Sequence, residues 1–309
     1  MGKVLVTGAN GMVGKAILEN FKRNGTSAVG VTRQDADLSN SIETLEILAA
    51  HQVELLIHCA ALVGGIKANL DGGYRLFLEN WQIDNAVLNA ARSLQIPRLI
   101  YLGSSCMYPA NLSRAVKESD LLSGSIEPTN YNFALAKILG SHLVQSIAKV
   151  DGLSWKVLVP SNLYGPGDHF NDERSHLLSA VISKLISAKE SNGVEVEMWG
   201  DGFPKREYTF VEDFADWIYE ISGHLEELPS FLNVGSGEEY SVLEYYKLVA
   251  NALNVEVRIV PNLSLPGGSR RKLIDSSLAK KFGWRPKTGI DAGLEKTINW
   301  YLSSRNEIH

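Results

Sequence analysis

Apolar residues recur along this chain in two rhythms. Short aliphatic and β-branched runs at Lys3–Thr7, Ser27–Thr32, Glu54–Ala60 and Arg98–Leu102 alternate with longer stretches of helical period. Those stretches lie near Gly14–Arg23, Ile42–Ala50 and Leu76–Ser93. Apolar runs of strand length, separated by helical patterns, predict parallel strands covered by helices on both faces. A further helix over Asn132–Lys149 leads into a strand at Trp155–Pro160. The expected class is α/β, a Rossmann-type doubly wound parallel sheet.

After Asn162 the alternation loosens. Gly165-Pro166-Gly167 breaks the chain, and a helix is expected over Ser175–Lys189 and a strand over Val194–Trp199. A helix at Val211–Ser222, a strand at Phe231–Val234, a helix at Ser241–Leu253 and a strand at Val255–Val260 follow. Leu265–Ser269 reads as a loop and Ala292–Leu302 as a last helix. The expected division is a nucleotide-binding domain of residues 1–165 plus about 206–240. A smaller mixed α/β substrate lobe would take about 166–205 and 241–309.

Composition narrows the function classes. Of 309 residues, 45% are apolar and 21% charged, the balance of a soluble globular protein. No apolar stretch is long enough to span a membrane, and the N-terminal residues lack a signal-peptide core, so a cytoplasmic location is expected. The net charge is −5, with no basic run interleaved with aromatics, so nucleic acid is not an expected partner. The two cysteines, Cys59 and Cys106, are expected as free thiols. No Cys/His cluster has zinc spacing, and no metal is expected.

Gly8-Ala-Asn-Gly11-Met-Val-Gly14 stands between a predicted strand and a predicted helix. Glycine is needed where such a loop turns sharply, where backbone approaches a pyrophosphate, and where helix packs on sheet. The helix N-terminus then presents N–H groups and the positive end of its dipole to phosphate. An acidic residue ending the second strand would bind the ribose hydroxyl of NAD. Val31-Thr32-Arg33 stands there instead, and a guanidinium suits a 2′-phosphate. The cofactor expectation is NADP(H).

The strand at Arg98–Leu102 ends in Gly103-Ser104-Ser105-Cys106-Met107-Tyr108-Pro109. Downstream stands Glu127-Pro128-Thr129-Asn130-Tyr131-Asn132-Phe133-Ala134-Leu135-Ala136-Lys137. A serine at the carboxyl end of a central strand lies where open α/β sheets hold ligands. The arrangement resembles the extended short-chain dehydrogenase/reductases, which use a serine with a Tyr-x-x-x-Lys pair. Val63–Asn69, Pro160–Pro166, Trp199-Gly200, Arg206-Glu207 and Arg271–Asp275 extend the resemblance over the whole chain. Together they resemble the GDP-L-fucose synthase family. That family epimerises C3 and C5 of a GDP-linked 4-keto-6-deoxy sugar and reduces C4 with NADPH.

The resemblance implies roles. Ser104 would bond the sugar 4-keto oxygen, Lys137 would hold the nicotinamide ribose, and Cys106 and His176 would be the acid/base pair of epimerisation. A proton α to a carbonyl is acidic enough for a well-placed cysteine or histidine to remove. A thiol needs help to ionise, and a nearby imidazolium provides it. Cofactor contacts are implied at Gly8, Asn10, Gly11, Met12, Val13 and Gly14, then at Arg33, Asp37 and Leu38. They continue at Ala60, Ala61, Lys137, Pro160, Leu163 and His176. Asn162, Lys184, Trp199, Arg206 and Lys272 would hold the GDP-sugar, cations meeting its pyrophosphate. Lys184 falls where the family tends to carry arginine, so it keeps the charge and loses the bidentate fork. A homodimer is implied as well.

One position departs. Phe133, four residues before Lys137, stands where the family has its proton-donating tyrosine. Tyr131 does not replace it, since helical geometry points Tyr131 and Lys137 in different directions. Either the departure is natural, with another group or water protonating C4 or with epimerisation alone retained, or it is a deliberate Tyr→Phe substitution. The otherwise intact constellation favours the second. Losing a general acid costs about 10² to 10⁴ in rate, so reduction is expected to be impaired while binding survives. The leading expectation is an NADPH-dependent epimerase/reductase of a GDP-4-keto-6-deoxy sugar. A GDP-4-keto-heptose or GDP-colitose-type reductase/epimerase is the alternative, and a non-catalytic NADP-binding protein the third reading.

Overall fold

The computed structural model describes residues 3–110, 112–170, 175–265 and 267–306. Asp172–Arg174, which precede His176, lie outside these residues, as does Pro266 of the expected loop.

The chain opens with β1 (Val4–Thr7), α1 (Met12–Arg23), β2 (Ala28–Val31), α2 (Ser41–Ala50), β3 (Leu55–His58), α3 (Ile66–Ser93) and β4 (Arg98–Leu102). It continues through α4 (Tyr131–Asp151), β5 (Ser154–Pro160), β6 (Asn162–Tyr164), α5 (Leu177–Glu190), β7 (Glu195–Trp199), β8 (Lys205–Phe210) and α6 (Val211–Ile221). Then come β9 (Phe231–Val234), β10 (Glu239–Ser241), α7 (Val242–Leu253), β11 (Arg258–Asn262), β12 (Arg271–Lys272), α8 (Ser277–Lys281) and α9 (Ile290–Asn306).

Six strands form a parallel sheet in the order β2-β1-β3-β4-β5-β9. Val4–Thr7, Leu55–His58 and Phe231–Val234 are buried at every position, as expected of strands covered on both faces. One layer packs α2, α3 and α4 on the sheet through Leu48, Val87, Ala91, Ile138 and Val144. The other packs α1, α6 and α8 through Ile17, Phe21, Phe214, Trp217 and Ala279. The chain leaves β1 toward β2 and returns to β3 on the other side, so strand order reverses between β1 and β3. Ligand crevices of open α/β sheets form at the carboxyl ends of such neighbours.

A second hydrophobic cluster joins α5, α7 and α9 to β7 and β8 through Leu178, Val181, Tyr245, Val249 and Leu294. Here β8 pairs with β6, β10 and β12, and β11 with β7. Ser241 and Glu244 form a reciprocal capping box at the start of α7. The sequence pattern missed β6, β8, β10 and β12, which are very short or rich in polar residues and so offer no apolar run. It also started α3 too late. That helix begins at Ile66 and passes a non-helical Gly72, where the glycine blurs the 3.6-residue pattern. The strand expected at Val255–Val260 lies at Arg258–Asn262.

Candidate active site

β1 delivers the chain into the glycine loop at the switch point. Gly8 has φ +68°, and a Cβ there would lie 2.8 Å from the Ala60 backbone at the end of β3. A Cβ on Gly14 would stand 2.3 Å from the Gly8 carbonyl oxygen. The Gly11 N–H donates to that same oxygen at 3.0 Å, closing the turn from which α1 starts. Glycine is therefore required twice over, for the left-handed turn and for close packing. Asn10, Gly11, Met12 and Val13 surround the first turn of α1, whose N–H groups have no helical partner. Such a cradle fits a pyrophosphate.

Arg33 is exposed just past β2. The Asp37 carboxylate accepts from the Ser39 N–H and hydroxyl at 3.0 and 2.7 Å, which hold its pKa below the ordinary value. Leu38 is buried behind it.

Lys137 lies one turn into α4 from Phe133, which is half-buried. Its ammonium is 4% exposed, 3.5 Å from the Asp84 carboxylate and 4.3 Å from the centre of the Tyr101 ring. Asp84, on α3, also meets His58 Nε2 at 3.0 Å and accepts from the Tyr101 hydroxyl. His58 Nδ1 pairs with Thr7 Oγ1 at 2.7 Å, and that oxygen accepts the Ala60 N–H at 3.3 Å. Burial opposes charge on Asp84, but Lys137, His58 and Tyr101 outweigh it and hold the carboxyl below its usual range. Burial draws the His58 pKa down despite Asp84, so the imidazole is neutral at neutral pH. A buried polar chain thus runs from the glycine loop to Lys137.

β4 ends at Leu102, and Ser104 caps the short 3-10 turn Ser105–Met107 by accepting the Cys106 N–H at 3.2 Å. The cap fixes both side chains at the carboxyl edge of the sheet. Lys272, from β12, donates to Cys106 Sγ at 3.4 Å. The same ammonium is 3.8 Å from Glu127 Oε2. The Glu127 oxygens also accept from Thr129 Oγ1 and Asn130 Nδ2. Cys59, the other thiol, is pushed up to about 12 by burial.

The remaining expected residues lie on the second lobe or at its border. His176 is the N-cap of α5, and its carbonyl accepts from Ala180 N–H at 2.9 Å and Ser179 Oγ at 3.1 Å. Burial raises the Asp168 carboxyl, and the nearby His176 opposes that rise. Among the described residues no hydrogen bond joins His176 to Cys106. Asn162 donates to the Glu207 carbonyl at 2.8 Å. Arg206, buried on β8, donates to the carbonyls of Lys205, Gly267 and Ser269 at 2.6–3.0 Å. Lys184 donates to the Glu197 carbonyl at 3.1 Å and stands 5.9 Å from the Trp199 ring centre. Pro160 and Leu163 border the end of β5.

Residues 4–235 match the NAD dependent epimerase/dehydratase family. The chain is 39% identical over 305 residues to GDP-L-colitose synthase of Yersinia pseudotuberculosis, covering 98% of this chain and 99% of that protein. It is 37% identical to GDP-L-fucose synthase of Azorhizobium caulinodans, covering 99% and 98%. This chain belongs to the GDP-L-fucose synthase family, within the NAD dependent epimerases/dehydratases. The fold agrees. A GDP-6-OMe-4-keto-L-xylo-heptose reductase from C. jejuni superposes with a TM-score of 0.91 at 27% identity, covering 98% of each chain. A GDP-mannoheptose C4 reductase from Campylobacter jejuni, solved with NADP bound, gives 0.88 at 29% identity, covering 97% and 98%.

Several buried partners of the site residues carry no signal in the sequence. Asp84 sits in a helix whose pattern reads as core, and nothing in the sequence distance announces Lys137 as its partner. Glu127 and Glu207 stood inside recognisable segments without a role. Glu207 is fully buried, accepts from the Gly237 and Ile274 N–H groups at 2.7 and 2.9 Å, and is raised by burial to about 7. In Lys205–Phe210 three consecutive charged residues precede the aromatic ones, so nothing in that run marked Glu207 as buried.

Proposed function

We propose that this chain is an epimerase/reductase of a GDP-linked 4-keto-6-deoxy sugar, with C3 and C5 as the epimerised centres. Its cofactor is NADP(H). The observation that carries the reading is the convergence of Ser104, Cys106 and Lys272 from two distant segments at the carboxyl edge of β4. A carbonyl-polarising hydroxyl beside a thiol and a cation is what proton abstraction next to a ketone requires.

The glycine loop and the first turn of α1 would hold the cofactor pyrophosphate, Arg33 the 2′-phosphate, and Lys137 the nicotinamide ribose. The fit rests on the tight glycine turn at Gly8 and Gly14, which brings the chain directly into the first turn of α1, whose N–H groups have no helical partner. NADPH supplies the hydride that reduces C4. Ser104 donates to the 4-keto oxygen, and that polarisation acidifies the protons at C3 and C5. Cys106 removes a proton there, and His176 returns one to the opposite face. As the family resemblance implies, Asn162, Lys184, Trp199, Arg206 and Lys272 would border the GDP-sugar. Asp84 holds Lys137 in place through their buried ion pair. This reading includes a cytoplasmic homodimer.

Phe133 keeps the ring on the helix face and lacks the hydroxyl that would protonate the C4 oxygen. The chain as it stands therefore binds both ligands and epimerises, with slow reduction. In Phe133→Tyr, NADPH oxidation with GDP-4-keto-6-deoxymannose should rise by about 10² to 10⁴. The absence of turnover with this sugar and with a GDP-4-keto-heptose would sink the proposal. Turnover confined to the heptose, or to a GDP-colitose precursor, would support the second reading. The GDP-L-colitose synthase and GDP-heptose reductases among the similar proteins favour that reading.

A further inference from the structure

The thiol of Cys106 has a cationic neighbour other than the histidine expected to serve it. Lys272 Nζ donates to Sγ at 3.4 Å, whereas His176 caps a helix of the other lobe without bonding Cys106. The second cation within electrostatic reach of Cys106 is Arg206. Its guanidinium is committed to the carbonyls of Lys205, Gly267 and Ser269. The acidic group facing this cluster is Glu127, 3.8 Å from the same ammonium. Thr129 and Asn130 fix both carboxylate oxygens of Glu127, so the carboxylate tethers Lys272 at a set position. The ammonium is only 16% exposed on its side chain, and water screens it little.

We propose that Lys272, tethered by Glu127, is the positioning residue that holds and electrostatically supports Cys106 Sγ for proton abstraction. The proposal rests on the reading of Cys106 as the epimerisation base. The ammonium stabilises the sulfur anion by a charge-assisted N–H···S contact. In the chemical step Sγ takes a proton from the carbon beside the C4 carbonyl. The C–H electron pair moves into the enolate, whose oxygen bears the charge beside Ser104. The thiol so formed leaves Lys272 its Glu127 partner, so the ammonium is never left unpaired. Release of the proton to water restores the thiolate.

Alkylation by iodoacetamide at neutral pH, followed by peptide mapping, reads this directly in the full chain. Cys106 should react, while Cys59 serves as an internal control because burial keeps it a thiol. Lys272→Met should slow Cys106 alkylation by about tenfold or more, the effect of removing one adjacent cation from a thiolate. It should also move the pH profile of the reaction toward alkali. Lys272→Arg should restore most of the rate. NADPH binding retained in Lys272→Met shows that the variant is folded. If Lys272→Met does not fold, the rate in Lys272→Arg compared with Lys272→Gln decides in its place. An unchanged Cys106 rate and pH profile in the folded neutral variant would overturn the proposal. A slowed rate in a protein that never exchanges the sugar protons would keep the Lys272–Cys106 pairing and remove the epimerase reading instead.

Discussion

Phe133 and Lys137 stand at positions i and i+4 of α4, so ring and ammonium share one face of the helix. The spacing is intact and the hydroxyl is missing, so on the proposed reading the deficit would lie in one proton and not in binding. Arg33 carries the other residue-scale choice. It is exposed and free to meet a 2′-phosphate, while Asp37 beside it is occupied with Ser39. Arg33→Ser should weaken NADPH binding by about tenfold or more, the value of a charge-assisted contact of ~1.5–3 kcal/mol, and leave NADH nearly unchanged. Fluorescence titration with both nucleotides checks it, and an equal loss for both would count against the assignment. These two residues were readable in the sequence because their meaning lies in short spacing. Asp84, His58 and Glu127 were not, because a buried carboxylate declares itself only through partners that arrive from other elements.

At the scale of elements, Asp84 ties α3 to α4 through Lys137, to β3 through His58 and to β4 through Tyr101. Removing one member of a buried charged pair leaves the other uncompensated. Asp84→Asn should therefore cost about 3–5 kcal/mol at neutral pH. The folded pKa of Asp84 is depressed, so its contribution is present above the unfolded value of 3.8 and is lost as pH falls through the folded value. Urea melts should show the gap between wild type and Asp84→Asn closing in acid. A constant gap would mean that packing, not charge, is what the substitution removes. The strands of the six-stranded sheet were readable because their short runs are almost wholly apolar, and their helices because each is long enough to show its period. The short strands β6, β8, β10 and β12 exist through pairing with one another, and no window of sequence contains that information.

For the whole molecule, Glu207 ties the second sheet to the segments that follow β9 and β12. It lies on β8 of the second sheet and accepts from Gly237, in the loop after β9, and from Ile274, beyond β12. Within the layer on the six-stranded sheet, the Trp284 indole N–H donates to the Gly235 carbonyl at 2.7 Å and steadies the loop that holds Gly237. Burial raises Glu207 from 4.5 to about 7, so the folded state binds a proton that the unfolded state has released in that window. The stability it contributes is complete below 4.5 and is lost as pH rises through about 7, by roughly 3 kcal/mol at most. Glu207→Gln should flatten the decline of Tm over that range. An unaltered slope would show that the carboxyl ionises in the fold without penalty.

On the proposed reading, the site does proton chemistry beside a ketone even with phenylalanine at 133. The most direct test of this claim is proton exchange with solvent deuterium at C3 and C5 of GDP-4-keto-6-deoxymannose, followed by NMR on the unaltered chain with NADP+ bound. The account predicts deuterium at both carbons and loss of that exchange in Cys106→Ser. No exchange at either carbon with the sugar demonstrably bound would contradict it.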